Sequence, residues 1–503
     1  MRLSPAGRPE TRQIRKSRNK KRMNILFVYA DTNSSGQPRI SLGVAFLSGY
    51  LKRNGFTSGL CYYRDEEDAA HCLKMIEERN IGLVAVSSVT SSFPSAKELI
   101  RRIKRKRPDI FVVCGGTHVS AFPEELANAE GLDAVCLGYG EEPLLELAAS
   151  IRNGGPDYSI RNLHFKTGNS IVKNALRPFP AGVDKYFPED RGIFYEEFKR
   201  KGFASLLAPG AYEEFIFCRG CPFDCSFCSN HILKTLGSGR PLIYPEISTC
   251  VNAILEARRG RAFKGVNFHD DILTLNRRWF MDFARAYSKQ VGLPFKCNTR
   301  IGMFDEDIVK ALRDAGCEAA IIGIESGNER IRNAVLDKTI GTNEDIVRGF
   351  DLFHRHGIRT HSQNMIGLPE ETFESFYDTV KINARILPNT ATISVFYPYP
   401  GTRLHDRAKA SGLLGAGALS GRGIERECSI LKLPGFPKSR IEFYARNFKY
   451  LVRLESLAAG SSALTRMLSF FYGFFFAQRA AFACLRLLDR LLRWTSVRPG
   501  AVL

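Results

Sequence analysis

The sequence has 503 residues, of which 44% are hydrophobic, and its formal net charge is +20. One hydrophobic core rarely organises more than about 300 residues, so two or three domains are expected. The first 22 residues hold nine Arg or Lys against one acid, so a large share of the charge lies in one short segment. We therefore predict that residues 1–22 form a disordered basic tail, or that Met23 is the true initiator.

The cysteine content and the N-terminal segment indicate the compartment. The chain has 13 cysteines, an odd number, and residues 1–22 lack the apolar segment of a secretory signal. Such a composition is typical of reduced thiols or metal ligands, not of a disulfide framework. The sequence therefore predicts a cytoplasmic protein.

Residues 23–152 alternate apolar runs with helical patterns. The runs are MNILFVYA, LGVAFLSGYLKRNG, GLVAVSSV, a basic helix, IFVVCGG, DAVCLGYG and EEPLLELAASI. Strands that are apolar throughout and separated by helices indicate a parallel sheet covered on both faces. The sequence thus predicts an α/β, doubly wound, Rossmann-like domain. Glycines follow two of its strands, and they mark either the ligand-binding edge or only tight turns.

A second α/β series begins after residues 153–205, which are richer in Pro, Gly and polar residues and are predicted to form a linker. Its strand candidates are EEFIF, KGVNF, PFKCNT, AAIIGIE, IRTHSQNM and ATISVFY. Six strand and helix units predict a partial (β/α)6, TIM-like barrel over residues 206–420, with its chemistry at the C-terminal ends of the strands. A cluster of cysteines directly follows the first of these strands.

The remaining residues, 421–503, are predicted to be mostly helical. Their longest charge-free run, between Arg466 and Arg479, has 12 residues, against the roughly 20 that a membrane-spanning helix needs. Basic residues beside Phe and Leu over residues 464–494 are typical of an interfacial helix lying on anionic lipid. The alternative is a helix packed over the barrel or against a partner subunit.

The sequence CRGCPFDCSFC, residues 218–228, crowds four cysteines into eleven positions. A structural zinc site usually draws on two separated pairs of ligands, and the sequence offers no second pair downstream. A thioredoxin-like pair, Cys218 and Cys221, would leave Cys225 and Cys228 unexplained. An iron-sulfur cluster needs closely spaced thiolates on a flexible loop, which this segment provides.

The C-x3-C-x2-C spacing of Cys221, Cys225 and Cys228, with Phe227 before the last cysteine, resembles the radical S-adenosylmethionine (SAM) enzymes. The resemblance implies that these three cysteines hold a 4Fe-4S cluster whose fourth iron binds SAM. It also implies reductive cleavage of SAM to a 5'-deoxyadenosyl radical. Cys218 departs from the family pattern and is interpreted as a spare thiol.

Further matches stand at the ends of the later barrel strands, in VNFHDD, CNTR, IIGIESG, MIGLPEET and FYPYPGT. Each is weak alone, since an acid after a strand is more often a helix cap than a ligand. By resemblance, the cofactor-binding candidates in the barrel are Phe227, Asp270, Asp271, Arg300, Glu325, Gly327 and Gly367. Among them, Glu325 and Arg300 are expected at the ribose and carboxylate of SAM.

The first domain resembles the cobalamin-binding domain that precedes many radical SAM barrels, through ISLGVAFLSGYL, VVCGGTHVS and LGYGEEPLLEL. The resemblance implies that its glycine-edged loops approach a corrin ring, with the candidates Ser87, Ser88, Gly115, Gly116, His118, Gly138 and Glu141. The chain has no D-x-H-x-x-G motif, so the sequence does not predict a histidine ligand to cobalt. The usual G-E-G-E reads GYGEE, with Tyr139 in place of the first acid.

The resemblance covers residues 23–405 and implies a cobalamin-dependent radical SAM enzyme. We expect a methyltransferase acting on an unactivated carbon of a small molecule or lipid, with a reductant such as flavodoxin or ferredoxin. A cyclase or rearrangement enzyme acting on a porphyrin-like or natural-product substrate is the alternative. An electron-transfer protein and a nucleic-acid-modifying enzyme are further alternatives. Specific nucleic-acid binding is not expected, because arginine-rich tails bind phosphate indiscriminately.

Overall fold

The structure is a computed structural model of the chain, and it describes residues 23–32, 38–415 and 425–458. The predicted basic tail, residues 1–22, lies outside the described residues. So does the predicted interfacial helix over residues 464–494. None of the described helices combines the length and the apolar character that crossing a bilayer requires.

The first sheet has seven strands. They are β1 (Asn24–Ala30), β2 (Thr57–Tyr63), β3 (Ile81–Ser87), β4 (Phe111–Gly115), β5 (Ala134–Cys136), β6 (Leu163–Thr167) and β7 (Ser170–Lys173). Their spatial order is β2-β1-β3-β4-β5-β6-β7, and the first five strands are parallel. The order reverses between β1 and β3, which is the switch point of a doubly wound sheet.

Helices cover both faces of this sheet. They are α1 (Leu42–Arg53), α2 (Glu66–Glu78), α3 (Phe93–Lys106), α4 (Thr117–Ala121), α5 (Glu125–Asn128) and α6 (Glu141–Arg152). Two separate hydrophobic clusters fill the spaces between sheet and helices, one on each face. The predicted Rossmann-like architecture is therefore confirmed, although β2 and α2 were not among the predicted elements.

The segment 153–205, for which the sequence predicts a linker, extends the first sheet. Strand β6 pairs antiparallel with β5, and β7 pairs antiparallel with β6. Helix α7 (Gly192–Arg200) contacts β2. The buried rings of Phe165, Phe194 and Phe198 join the hydrophobic cluster on one face of that sheet. Much of this segment is thus part of the first folding unit.

The second sheet has six parallel strands. They are β8 (Tyr212–Phe215), β9 (Gly265–Phe268), β10 (Phe295–Thr299), β11 (Cys317–Glu325), β12 (Arg359–Ile366) and β13 (Thr390–Val395). They pair in chain order, and the sheet ends at β8 and β13, which makes it a partial barrel. The six predicted strand and helix units are confirmed.

The helices of the second unit follow its strands. They are α8 (Asn230–Leu233), α9 (Ile247–Gly260), α10 (Arg277–Gln290), α11 (Glu306–Asp314), α12 (Asn343–Arg355), α13 (Phe373–Ile386), α14 (Arg403–Ala410) and α15 (Lys438–Ala458). Helix α15 packs against α13 and β13, so it covers the last strand of the barrel.

The C-terminal edges of the two sheets face each other. Helix α4, which follows β4, contacts α8, which follows the cysteine segment. A Cβ atom placed on Gly401 would lie 3.3 Å from the Cβ of Ala121. Ser91, after β3, donates a hydrogen bond to Glu425. Because parallel sheets bind ligands at their C-terminal edges, the two candidate sites share one interdomain space.

Candidate active site at the facing strand ends

The three cysteines of the predicted cluster lie on the loop between β8 and α8. Cys225 is buried, whereas Cys221 and Cys228 are partly exposed. The middle of the loop is held by Ser226, whose Oγ donates to the carbonyl of Val335 at 2.7 Å and whose N–H donates to the carbonyl of Leu336. The loop is therefore fixed to the barrel between its second and third cysteines.

Asp270 holds the start of this loop from the end of β9. The carboxylate is fully buried, and its Oδ1 accepts the N–H groups of Cys218 at 2.6 Å and Phe217 at 3.2 Å. Burial raises its pKa to about 6. The geometry favours a role in shaping the loop, which differs from the cofactor contact that the resemblance implied for this residue.

The surroundings of the thiols suit a cluster of several metal ions. Burial raises the pKa of Cys221, and it raises the pKa of Cys228 to about 12. Because thiolates are the metal-binding form, cluster assembly includes the loss of these protons. No three His, Cys, Asp or Glu side chains in the described part of the chain are gathered around a point where one metal ion would sit. The support for a cubane cluster is the close spacing of three thiols on one loop.

Arg300, at the end of β10, lies beside the cysteine loop. Its Nη1 is 3.8 Å from Sγ of Cys225, and its Nη2 donates to the carbonyl of Thr339 at 2.8 Å. The guanidinium also lies over the ring of Phe223, 3.8 Å from the centroid. The Arg300 guanidinium therefore lies beside a predicted ligand of the cluster. Its contact with the SAM carboxylate, which the resemblance implies, stays a prediction.

Glu325 ends β11 in a strained backbone conformation, with φ of 67°. Its Oε1 accepts a hydrogen bond from Nζ of Lys338 at 2.7 Å, and both side chains are mostly buried. A Cβ atom on Gly323 would lie 2.5 Å from that carboxylate oxygen, so glycine leaves the space that the ion pair occupies. Strained residues held by their surroundings are concentrated at functional sites. Sequence reasoning missed Lys338.

Gly327 packs against helix α13, and Gly367 is hydrogen-bonded to the turn that precedes this helix. A Cβ atom on Gly327 would lie 2.2 Å from the carbonyl oxygen of Asp378, and the Gly327 N–H donates to Thr379 at 2.9 Å. The Gly367 N–H donates to Glu371 at 2.6 Å. Both glycines thus have clear packing roles, and their contact with a cofactor remains a prediction.

Asp271 and Phe227 stand at the rim of the same region. Asp271 is exposed and accepts a hydrogen bond from Asn230 at 2.9 Å. Phe227 is partly buried and packs against the hydrophobic cluster beneath β12 and β13. The exposed carboxylate of Asp271 is free on one side for a ligand, so it fits the predicted cofactor contact better than Asp270 does.

The inner face of the barrel carries polar side chains that sequence reasoning did not select. His269 Nε2 lies 3.5 Å from Oε1 of Glu214 and 3.2 Å from Nδ2 of Asn267. Burial acts to raise the pKa of Glu214, but the hydrogen bond from His269 and nearby positive charges outweigh it, and the pKa is lowered. Gln363, in the middle of the sheet on β12, is nevertheless exposed. The inner face of the barrel therefore carries polar side chains, and at Gln363 one of them is exposed in mid-strand.

The candidate cobalamin residues lie at the C-terminal ends of β3, β4 and β5. Gly116 has φ of 104°, and a Cβ atom there would lie 2.4 Å from the carbonyl oxygen of Ser88. Ser87 and Gly115 are paired on adjacent strands, and the Gly138 N–H donates to Ser120. Only glycine permits this approach of the two loops. The edge of the sheet at Gly116 therefore carries no side chain, and a flat ring system fits against such an edge.

His118 is buried in α4 behind this edge. Its ring stacks on Phe93, 4.2 Å away, and its Nδ1 lies 3.3 Å from Oγ1 of Thr90. Its Nε2 is buried and has no hydrogen-bond partner in the described part of the chain. Burial lowers the pKa of His118 to about 4, so the ring is neutral. An unpartnered buried nitrogen fits a ligand group, and cobalamin carries many amides that could supply one.

Glu141 is placed at the interface between the two units. Its Oε1 lies 2.5 Å from Nη2 of Arg219, within the cysteine segment. Tyr139, the residue that departs from the family pattern, lies against the same guanidinium, 4.9 Å from its ring centroid. The contact of Glu141 with a cofactor stays a prediction, and sequence reasoning missed Arg219.

Comparison with known proteins assigns both units. Residues 30–148 match the family model described as the B12 binding domain, and residues 215–382 match that of the radical SAM superfamily. The chain is a B12-binding radical SAM enzyme. The two matched domains confirm the predicted cofactors of this enzyme, which are a 4Fe-4S cluster, SAM and cobalamin.

Several known proteins are similar to this enzyme over most of its length. The enzyme is 27% identical over 403 residues to an uncharacterized methyltransferase of Pyrococcus horikoshii, covering 78% of this chain and 84% of the relative. It is 28% identical over 408 residues to an anaerobic magnesium-protoporphyrin IX monomethyl ester cyclase of Cereibacter sphaeroides, covering 76% of this chain and 63% of the relative. Its fold resembles TsrM, a radical SAM methyltransferase from Kitasatospora setae, with a TM-score of 0.63, 20% identity and coverage of 77% and 75%.

Proposed function

We propose that this enzyme transfers a methyl group to an unactivated carbon of a small molecule. The observation that carries the proposal is the facing of the two C-terminal edges, which brings the glycine-edged B12 loops opposite the cysteine loop. When bound, the cluster and SAM supply a 5'-deoxyadenosyl radical, and cobalamin supplies the methyl group. A substrate held between the two edges is within reach of both.

The protein residues position the reactants and exclude water. Cys221, Cys225 and Cys228 hold the cluster, and the Arg300 cation offsets negative charge on its thiolates. The Glu325 carboxylate, fixed by Lys338, is placed to accept hydrogen bonds from the SAM ribose. These groups are held by other side chains before ligands bind, so little reorganisation is needed during the reaction.

The polar barrel interior supports a substrate with hydrogen-bonding groups near the reacting carbon. Glu214, Asn267 and His269 form one hydrogen-bonded group on the inner face of β8 and β9. A purely hydrocarbon substrate would exclude water from these groups without offering hydrogen bonds to their remaining donors and acceptors, at a cost of about 1–3 kcal/mol for each one left unpaired. We therefore favour a polar small molecule over an unsubstituted lipid chain.

A cyclase reaction without methyl transfer is the second candidate, favoured by the similarity to the magnesium-protoporphyrin cyclase. Both candidates use SAM cleavage, and both require an electron, for which we propose flavodoxin or ferredoxin as the donor in a cytoplasmic setting. They differ in whether a methyl group leaves SAM and appears in the product.

The test is anaerobic purification with added hydroxocobalamin, followed by iron, sulfide and cobalt analysis. The loaded enzyme is then incubated with dithionite, deuteromethyl SAM and a metabolite extract from the source organism, with a Cys225→Ser variant as the control. We expect 5'-deoxyadenosine together with a metabolite heavier by one labelled methyl group. Formation of 5'-deoxyadenosine with an unlabelled new product would instead support the cyclase, and absence of iron would contradict both.

A further inference from the structure

Arg219 connects the cysteine loop to the B12-binding unit. Its backbone belongs to the loop, since its N–H donates to the Ile243 carbonyl at 2.9 Å and its carbonyl accepts from the Ile243 N–H at 3.0 Å. Its side chain instead crosses the interface. Arg219, two positions before Cys221, thus has its backbone in one folding unit and its side chain in the other.

The side chain is enclosed by residues of the first unit and of the segment that follows it. Nη2 lies 2.5 Å from Oε1 of Glu141, and the side chains are 12% and 5% exposed. The guanidinium lies over three rings, with centroid distances of 5.2 Å for Phe46, 4.9 Å for Tyr139 and 5.1 Å for Tyr186. We call this group of five residues the Arg219 latch.

Because arginine is always charged, the buried position of Arg219 is favourable only when the two units are docked. A guanidinium stays charged at any pH a protein tolerates, and a buried charge without its partner is strongly unfavourable. The charge of Arg219 is compensated by Glu141 of the first unit, and its guanidinium lies against rings of that unit and of the segment that follows it. The latch is therefore satisfied only when the two units are in their observed register.

We propose that Arg219 is a positioning residue that couples the conformation of the cluster loop to the B12-binding unit through Glu141. The inference rests on the proposed function only in that both cofactors bind to this chain. Cobalamin that stabilises the first unit in the docked register then also stabilises the loop that carries Cys221, Cys225 and Cys228. Because such coupling is reciprocal, the loaded cluster equally strengthens cobalamin binding.

The experiment measures this coupling without any substrate. Full-length enzyme is reconstituted anaerobically, and iron loss to excess EDTA is followed with and without saturating hydroxocobalamin. The variants are Glu141→Gln and Arg219→Gln. The matched control is Glu197→Gln, which removes a similarly buried carboxylate whose partners, Arg200, His71 and the Tyr62 N–H, lie away from the loop. Iron and cobalt contents are measured for every variant.

In the wild-type enzyme we expect hydroxocobalamin to slow iron loss by about fivefold or more, the usual range of site coupling. The ratio should fall close to one in Glu141→Gln and Arg219→Gln and stay at the wild-type value in Glu197→Gln. A double variant, Glu141→Gln with Arg219→Gln, should be no worse than either single variant, because one interaction is lost in all three.

Several results would overturn the latch. They are a wild-type ratio near one, an unchanged ratio in Glu141→Gln, or an equal fall in Glu197→Gln. If Glu141→Gln fails to fold, Arg219→Gln decides the question, since it removes the same ion pair from the side of the loop. A wild-type ratio in Arg219→Gln refutes the proposal. A wild-type chain that binds no cobalt refutes the proposed function instead.

Discussion

Replacing Asp270 by asparagine tests whether this residue shapes the cluster loop. Burial raises its pKa from 3.8 to about 6, which corresponds to about 3 kcal/mol at about 1.4 kcal/mol per pH unit. The folded protein therefore favours the neutral carboxyl. The resulting stability is fully present below pH 3.8 and is lost as the pH rises through about 6.

Asparagine cannot ionise, so Asp270→Asn removes this pH dependence. Its carbonyl oxygen can still accept the N–H of Cys218, which Asp270 accepts at 2.6 Å. Relative to the wild type, the variant should become more stable by up to about 3 kcal/mol between pH 4 and pH 7. For a domain of about 200 residues that change equals about 6–12 °C in the melting temperature of the barrel.

The assay is differential scanning calorimetry of both proteins, without cofactors, from pH 4 to pH 7.5. Asp314→Asn, which changes an exposed carboxylate on α11, is the control and should leave the difference from wild type constant with pH. A melting-temperature difference between Asp270→Asn and wild type that does not change with pH would refute the reasoning. Weakened SAM binding with no such pH effect would return Asp270 to a direct cofactor role.

Three further substitutions test other parts of the site. Gly116→Ala should cost at least about 1–2 kcal/mol and lower the cobalt content, whereas Gly154→Ala, also at positive φ but with no atom within 4 Å, should keep wild-type cobalt. Lys338→Met should leave Glu325 unpaired, destabilise the barrel by about 3 kcal/mol and weaken SAM binding measured by equilibrium dialysis. Arg300→Met should lower the reduction potential of the cluster in an EPR-monitored titration, because a cation beside a thiolate favours the reduced form.

Much of the fold could be predicted because strands buried on both faces give continuous apolar runs. β1, β3 and β4 follow such runs. The barrel strands mix apolar and polar residues, and they could be predicted because helical stretches separate most of them. β2 was missed because TSGLCYY lies at the edge of the sheet and begins with three small or polar residues. β6 and β7 were missed because they are antiparallel and partly exposed, so their sequences resemble a linker.

The site could be predicted where its residues belong to short sequence motifs. The three cysteines form one short motif, so their chemistry is visible without a fold. Arg219 and Glu141 are 78 positions apart, and no spacing rule relates a loop after β8 to a helix of the other unit. In the sequence, Tyr139 stands where the family pattern has an acid. In the structure, its ring lies against the buried guanidinium of Arg219.

The space between the two edges has a third wall that comes from neither family domain. Glu425 accepts hydrogen bonds from Ser91 of the first unit and from Tyr399 of the barrel. The Arg426 carbonyl pairs with the N–H of Val395 at the end of β13, so this segment follows the barrel mouth. The two family models match residues 30–148 and 215–382, so this segment lies after both. Because the cofactors are bound by those domains, a wall built from later residues can change between relatives without altering the radical chemistry. Substrate selectivity should therefore be determined largely by this wall and by the polar side chains inside the barrel, which is consistent with the similarity of this one chain to a methyltransferase and to a cyclase.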